Sequence, residues 1–404
     1  MSNRALLVAL PLAVVLLVYI LHRWRIAFWL AGLASGLTGY LCFRVAQGSP
    51  LASYGLYLEA NQIRPIGVLF GIAAFSFILG AFLPASPYIP FSGLLSTVLM
   101  SASLLLPPGM VSGILLTAAF VASVIPLYEG KRLNPTGTVG LLLLSLLPFL
   151  SFTLVRLGLL PLRAWSWTFL SLFPLLGFLP FHLWVVGLLR RCSPLSAGFI
   201  LTVLRLGVVL WIGRMWETQL PPGNLEALLW GLAFASLIWS GVRGFASRSF
   251  AELTAYAATA DAGVLLGLLM AQGNADAPLR YLAVSALGVL VLTGGITLFN
   301  EAQDSGHNYP QAVSLLLAGV LSVAGLPLTP GFAARMMALN LLKGKAFCLL
   351  IILSGFGLLV GGMRLLRPYL SALRLDEELQ TPSALVLLLL VLSSFVLLGI
   401  NPWL

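Results

Sequence analysis

The chain has 404 residues, of which 60% are apolar and 8% are charged, and its net charge is +10. A soluble domain carries about 25% charged residues, so this composition excludes a large water-soluble domain and predicts a surface covered by lipid. The basic residues lie in small groups between apolar runs, such as Arg23 with Arg25 and Lys343 with Lys345, which is typical of topology signals and contact with anionic lipid, not of nucleic-acid binding.

Hydropathy over windows of about 19 residues predicts an all-α polytopic membrane protein with fourteen transmembrane helices and no β-barrel alternation. The first is expected to be a retained span and not a signal peptide, because Arg23 and Arg25 follow it directly and no A-x-A-like cleavage site is present. Lys and Arg are slightly more frequent in the odd-numbered loops, which favours both termini outside. The predicted spans are 4–22, 27–47, 65–84, 91–106, 109–128, 137–157, 166–189, 195–213, 224–242, 255–271, 280–299, 311–341, 345–367 and 383–399.

Two apolar segments contain glycine followed by proline. The first carries Gly177 and Pro180, and the second carries Gly325 and Pro327. Proline removes an intrahelical hydrogen bond and glycine weakens the helix, so each segment predicts a helix broken in the membrane, with a simple kink as the alternative. Each is the fourth span of a five-span set, and breaks at matching places indicate a transporter-like internal repeat.

This pattern predicts four parts of the chain. An N-terminal three-helix segment covers 1–90, and a C-terminal loop with the last helix covers 368–404. Between them lie two five-helix repeats, 91–213 and 224–367, each with one broken helix.

Motifs for metals, cofactors and covalent catalysis are missing from the sequence. Cys42, Cys192 and Cys348 are far apart and form no CxxC or Cys/His cluster, which excludes a structural zinc site or a complete iron–sulfur ligand set on this chain alone. No GxGxxG, Walker, HExxH or nucleophile-elbow motif occurs in a suitable setting. We therefore expect no catalytic residue, no metal site and no cofactor on this chain.

Three stretches carry a family resemblance. They are Leu-Pro-Phe-His-Leu-Trp at 179–184 followed by Ser-Pro-Leu-Ser-Ala at 193–197, the helix start at 248–258, and Leu-Ser-Val-Ala-Gly-Leu-Pro-Leu-Thr-Pro-Gly-Phe at 321–332. In order and spacing the chain resembles, over essentially its whole length, the antiporter-like membrane subunits of respiratory complex I, which Mrp-type cation/proton antiporters and membrane-bound hydrogenases share. Its compact length and the absence of a C-terminal lateral helix are most similar to the N subunit of NADH–quinone oxidoreductase.

The resemblance implies a glutamate in the fifth span and lysines in the seventh, eighth and twelfth. These positions match Val121, Leu175, Arg205 and Arg335 in this sequence. Two ionisable groups are thus lost, and the other two are arginines, which do not lose their proton in proteins. The sequence therefore predicts a degenerate charge relay.

Four residues are candidates for an ion pathway. Arg205 and Arg335 lie at mid-span, where a charge costs a few kcal/mol; a function, snorkelling to an interface or pairing with carbonyls freed by a helix break are the open explanations. Asp261 is expected to pair with Arg205 or accept a proton, unless it is solvated near the membrane edge. His182, beside the first break, is expected either to join a proton relay or to be satisfied by a freed carbonyl.

These features lead to the hypothesis of a membrane-arm subunit of a complex I-type NADH/quinone oxidoreductase that contributes to coupled proton translocation and is mainly structural or uses an altered charge route. Its expected partners are other membrane-arm subunits and lipids, and its expected location is the bacterial plasma membrane. The alternatives are a subunit of a Mrp-type antiporter, a chain of a related hydrogenase or carbon-uptake complex, and a stand-alone carrier, against which the few polar interior residues argue.

Overall fold

The computed structural model describes residues 3–47, 60–129, 135–159, 170–218, 223–305, 309–342 and 344–373. Every regular element in these ranges is a helix, and no strand occurs in them. This is the expected outcome for apolar segments in lipid, because a helix satisfies its backbone hydrogen bonds within the segment itself.

The helices α1 to α15 follow the chain. They are Asn3–Ile20, Ile26–Gln47, Ala60–Phe82, Ile89–Leu105, Met110–Val124, Pro135–Arg156, Leu183–Arg191, Pro194–Phe199, Arg205–Thr218, Gly223–Phe245, Phe250–Gln272, Asp276–Ser305, Tyr309–Ala324, Pro330–Leu341 and Lys345–Leu366. A π-helical turn, Ile200–Leu204, joins α8 to α9, and 3-10 helices occupy Ile125–Glu129, Phe173–Leu176 and Arg367–Leu373.

Within the described ranges, nine helical segments are long and apolar enough to cross a membrane. Each predicted span up to residue 367 overlaps a helical element of the structure. The span predicted at 383–399 lies outside the described residues, so the total of fourteen stays a prediction.

The chain forms two compact units. The first contains Met1–Leu176 and Thr202–Leu220, and the second contains Gly177–Leu201 and Pro221–Leu404. The predicted division into an N-terminal segment, two repeats and a C-terminal segment uses other boundaries and stays a prediction.

Small residues and backbone acceptors organise the packing inside each unit. In the first unit Ser96 in α4 donates its hydroxyl hydrogen to the carbonyl oxygen of Ala119 in α5 at 2.6 Å, and Thr117 in α5 donates to that of Ser145 in α6 at 2.8 Å. In the second unit α15 packs closely on α10, and a Cβ added to Gly357 would lie 2.9 Å from the carbonyl carbon of Gly241. Close backbone approach through glycine is a common way for membrane helices to associate.

Candidate functional site

The segment with Gly325 and Pro327 interrupts a helix in the second unit. Helix α13 ends at Ala324, and Gly325 follows with a φ of +76°. Helix α14 then starts at Pro330, where the hydroxyl oxygen of Thr329 accepts a hydrogen bond from the N–H of Phe332 at 3.4 Å. The interruption leaves carbonyl groups at the end of α13 without an intrahelical donor.

Arg335 supplies a donor to this helix end. The residue lies in α14 and is 8% exposed. Its Nη2 donates to the carbonyl oxygen of Val323 in α13 at 2.8 Å, and its Nη1 donates to the carbonyl oxygen of Ile351 in α15 at 2.8 Å. One guanidinium group thus bridges the two helices that flank α14. The sequence left a function, snorkelling and carbonyl pairing open for Arg335. The structure shows Arg335 paired with a carbonyl at the helix break.

Two glycines make room for this guanidinium. A Cβ added to Gly325 would overlap Cδ of Arg335, and a Cβ added to Gly355 in α15 would overlap its Nη1. The Gly355 Cβ would also lie 2.7 Å from the carbonyl oxygen of Ala324. The planar group therefore fits in a slot whose walls are backbone atoms.

The segment with Gly177 and Pro180 is also interrupted. A 3-10 helix ends at Leu176, and Gly177 follows with a φ of +74°. The peptide bond between Leu179 and Pro180 is cis, and α7 begins three residues later. Like Gly325, Gly177 holds a left-handed backbone conformation that favours glycine.

Arg205 in the first unit contacts the end of that 3-10 helix. It is 2% exposed and follows the π-helical turn directly. Its Nη2 donates to the carbonyl oxygen of Leu176, the last residue before the break. Such π-helical turns shift the register of a helix and are frequent at functional sites.

Arg205 and Arg335 therefore share one role. Each guanidinium is buried, and each donates to a carbonyl oxygen at the C-terminal end of a helical segment that stops inside an apolar run. That end carries the negative pole of the helix dipole, so a fixed positive charge is favourable there. Because arginine stays protonated, this arrangement can hold a charge in place but is unsuited to passing a proton on.

Asp261 has a hydroxyl partner in the second unit. It lies in α11, is 8% exposed and accepts a hydrogen bond from the hydroxyl of Tyr281 in α12 at 2.6 Å. A distance of 2.5–2.7 Å is typical of strong O–H···O⁻ bonds. Asp261 is therefore buried and bonded, unlike the solvated residue that the sequence left open.

His182 lies at the start of α7 among aromatic and cationic side chains. It is 8% exposed. Its ring meets that of Trp239 edge-on at 6.0 Å. Arg243 stacks over the rings of Trp239 and Tyr256, at 5.6 and 5.5 Å, and its Nε donates to the Tyr256 hydroxyl at 3.2 Å.

Three of these participants were missed by the sequence analysis. A local signal existed for Arg243, because Trp239 precedes it by one helical turn. A weaker signal existed for Gly355, since small residues in a membrane helix indicate close approach without saying to what. No local signal points to Tyr281.

The remaining implied positions carry no charge. Val121 is exposed on α5, and Leu175 is buried in the 3-10 helix. Over the described ranges, no group of three or more His, Cys, Asp or Glu side chains could hold a metal ion.

Comparisons with known proteins give sequence relatives, although no protein-family model matches the chain. It is similar to NADH-quinone oxidoreductase subunit N 2 of Acidobacterium capsulatum, with 32% identity over 196 residues, or 42% of this chain and 39% of the relative. Subunit N of Ectopseudomonas mendocina is 30% identical over 178 residues, or 40% and 36%. The aligned region spans less than two fifths of the length of either relative.

Solved structures match over most of the chain. A chain of respiratory complex I from Thermus thermophilus has a TM-score of 0.67 at 16% identity and covers 99% of this chain and 96% of its own length. These comparisons confirm the resemblance to the antiporter-like membrane subunits. A chain of the archaeal membrane-bound sulfane sulfur reductase has a TM-score of 0.73 at 16% identity, with coverages of 99% and 95%. A chain of the Mrp complex from Dietzia has a TM-score of 0.66 at 14% identity, with coverages of 90% and 80%. These matches, together with the apolar helices, show that the chain is an integral membrane protein.

Proposed function

We propose that this chain is a membrane-arm subunit of a complex I-type NADH/quinone oxidoreductase in a bacterial plasma membrane. The similarity to proteins named subunit N supports the proposal. The fold shared with a chain of respiratory complex I, over nearly the whole of both chains, supports it further.

Within such an arm the chain is mainly structural, and its contribution to coupled proton translocation does not pass through Arg205 and Arg335. The observation that carries this assignment is the Arg335 guanidinium, which bridges the carbonyls of Val323 and Ile351 across a helix break. A relay group must change its charge state, and burial shifts the pKa of lysine readily but leaves arginine protonated. The arginines therefore stabilise the breaks as fixed charges.

The redox chemistry of the assembly belongs to other chains. NADH, flavin and iron–sulfur clusters each need ligand or binding motifs, and the sequence contains none in a suitable setting. The partners of this chain are accordingly other membrane-arm subunits and lipids, and it carries no cofactor of its own.

The test begins with purification of the chain from its native membrane in mild detergent, followed by mass spectrometry of all bound proteins. Co-purification of iron–sulfur and quinone-site subunits is the expected result. Small antiporter subunits without redox proteins would move the assignment to a Mrp-type complex, for which the Dietzia match is the supporting observation. Hydrogenase or carbon-uptake partners would indicate the related complexes, and a lone chain would indicate a stand-alone carrier.

The role of the charges is tested in the same complex. We expect Arg335→Met to lower the amount of assembled complex but to leave the number of protons moved per electron unchanged in the complex that does assemble. Asp261→Asn keeps the acceptor oxygen for Tyr281 and removes the negative charge. A lower proton-to-electron ratio in the assembled Asp261→Asn complex would contradict the structural role and support an altered charge route.

A further inference from the structure

A cavity of about 380 Å³ opens in the second unit, between the C-terminal parts of α7, α12 and α15 and the start of α11. One part of its wall is polar and includes Arg190, Arg248, Ser249 and Asn300. The other part is apolar and is formed mainly by Leu189, Phe250, Ile296, Phe299 and Leu365. The cavity therefore joins an apolar wall to a polar one.

The charges on the wall are positive. Two arginines line the cavity, and no carboxylate does. Arg190 donates to Glu252 at 2.6 Å, but its side chain is 47% exposed, and a guanidinium has further N–H groups to offer. Arg248 is exposed, and its side chain forms no hydrogen bond or ion pair with the described residues; its backbone N–H alone donates to Glu252, at 2.9 Å.

We propose that this cavity binds the phosphate group of an anionic phospholipid. Arginine matches phosphate oxygens in shape and charge, and Ser249 and Asn300 add hydrogen-bonding groups beside it. A free phosphate ion would use the arginines but not the apolar wall, whereas a lipid places its acyl chain against Leu189, Ile296 and Phe299. The proposal is independent of the electron-transfer partners assigned above.

The loop charges agree with this ligand. The segments at 190–194 and 246–249 belong to the odd-numbered loops, in which Lys and Arg are more frequent. That bias favours the cytoplasmic side for this edge, where anionic lipids give the membrane surface its negative potential.

Cys192 lines the same cavity and reports on its occupancy. A Cys42→Ser/Cys348→Ser background leaves it as the single thiol of the chain. The protein is reconstituted into vesicles of phosphatidylcholine, with or without phosphatidylglycerol, and alkylation by an uncharged maleimide is timed at one alkaline pH. We expect phosphatidylglycerol to slow the alkylation of Cys192.

The variant Arg248→Gln separates binding from the general effect of a negative surface, because both proteins are compared in the same vesicles. Loss of one charged hydrogen bond to phosphate weakens binding about tenfold, so about ten times more phosphatidylglycerol in the vesicles should be needed to protect this variant to the same extent. Arg156→Gln is the matched control, since Arg156 is exposed at the end of α6 and lies outside the cavity.

Equal alkylation rates in both kinds of vesicle would overturn the proposal, as would full protection of the Arg248→Gln variant. A last experiment uses inorganic phosphate in place of the anionic lipid. If it protects Cys192 in phosphatidylcholine vesicles as well as phosphatidylglycerol does, the site binds a free anion and the lipid assignment is wrong.

Discussion

Replacement of Gly355 by alanine should remove the Arg335 guanidinium from its slot. The new Cβ would lie 2.9 Å from Cζ of Arg335 and 2.7 Å from the carbonyl oxygen of Ala324, and both distances are shorter than normal contacts between non-bonded heavy atoms. The arginine must move to relieve the first contact. The second contact is with backbone, so its relief requires α13 and α15 to separate slightly. Its hydrogen bonds to Val323 and Ile351 are then lost.

The expected cost follows from those two bonds. A hydrogen bond to a charged group contributes about 1.5–3 kcal/mol, and overpacking costs typically about 1–3 kcal/mol. Partial relaxation reduces the sum, and we expect Gly355→Ala to lower the free energy of unfolding by about 3 kcal/mol. Unfolding by sodium dodecyl sulfate in mixed micelles, followed by circular dichroism, measures the change.

Gly231→Ala is the matched control. Gly231 lies in α10 of the same unit, and a Cβ added there would meet no atom within 4 Å. Alanine is favoured over glycine in a helix by about 1 kcal/mol, so this variant should be as stable as the parent chain or slightly more stable.

A double-mutant cycle identifies the cause. In an Arg335→Met background the planar group is gone, and Gly355→Ala should cost less by about 1–3 kcal/mol. If Gly355→Ala leaves stability unchanged, or if its cost is the same in both backgrounds, the guanidinium slot does not explain the glycine and the reasoning is refuted.

Three further predictions concern other groups. Tyr281→Phe removes the hydroxyl donor of Asp261 and should destabilise the chain by about 1–3 kcal/mol in the same micelle assay; no change would mean that the carboxylate does not depend on that bond. Arg205→Lys keeps the charge but offers a single ammonium to the carbonyl of Leu176, so the melting temperature of the assembled complex should fall while its proton-to-electron ratio stays constant; a higher ratio would show that a titratable group restores a relay. Burial raises the pKa of the Cys192 thiol from 9.0 to about 11, so with the other two cysteines replaced its alkylation rate should keep rising about tenfold per pH unit up to near pH 11; a plateau at pH 9 would contradict this pKa.

Hydropathy and the Gly/Pro pattern locate the helical elements because both signals are local. An apolar run long enough to cross lipid forms a helix whatever its neighbours are, and every predicted span up to residue 367 overlaps a helical element. The glycines at 177 and 325 were chosen from sequence as break points, and both have positive φ in the structure. Glycine adopts a positive φ readily because it has no Cβ.

The partners that a side chain meets on another helix could not be predicted from such local signals. The acceptors of Arg335 are backbone carbonyls 12 and 16 residues away, and a backbone carbonyl has no signature in the sequence because every residue carries one. Sequence analysis could name pairing with a freed carbonyl as one explanation but could not select it. Tyr281 was overlooked for a similar reason, since a tyrosine in an apolar helix is ordinary until a carboxylate is seen beside it.

The exchange of lysine for arginine has opposite consequences for structure and for transport. The resemblance implies lysine at three positions, and at two of them, Arg205 and Arg335, an arginine keeps a positive charge beside the end of a broken helix. Its fork of donors can reach two carbonyls at once, as Arg335 does with Val323 and Ile351, and a lysine ammonium is a compact point charge without that fixed geometry. The same delocalisation that suits the guanidinium to this bridge holds its proton firmly. A residue that stabilises the break in this way cannot release and rebind a proton. In this chain the charge at each break is therefore better explained as support for the helix ends than as a step in a proton path.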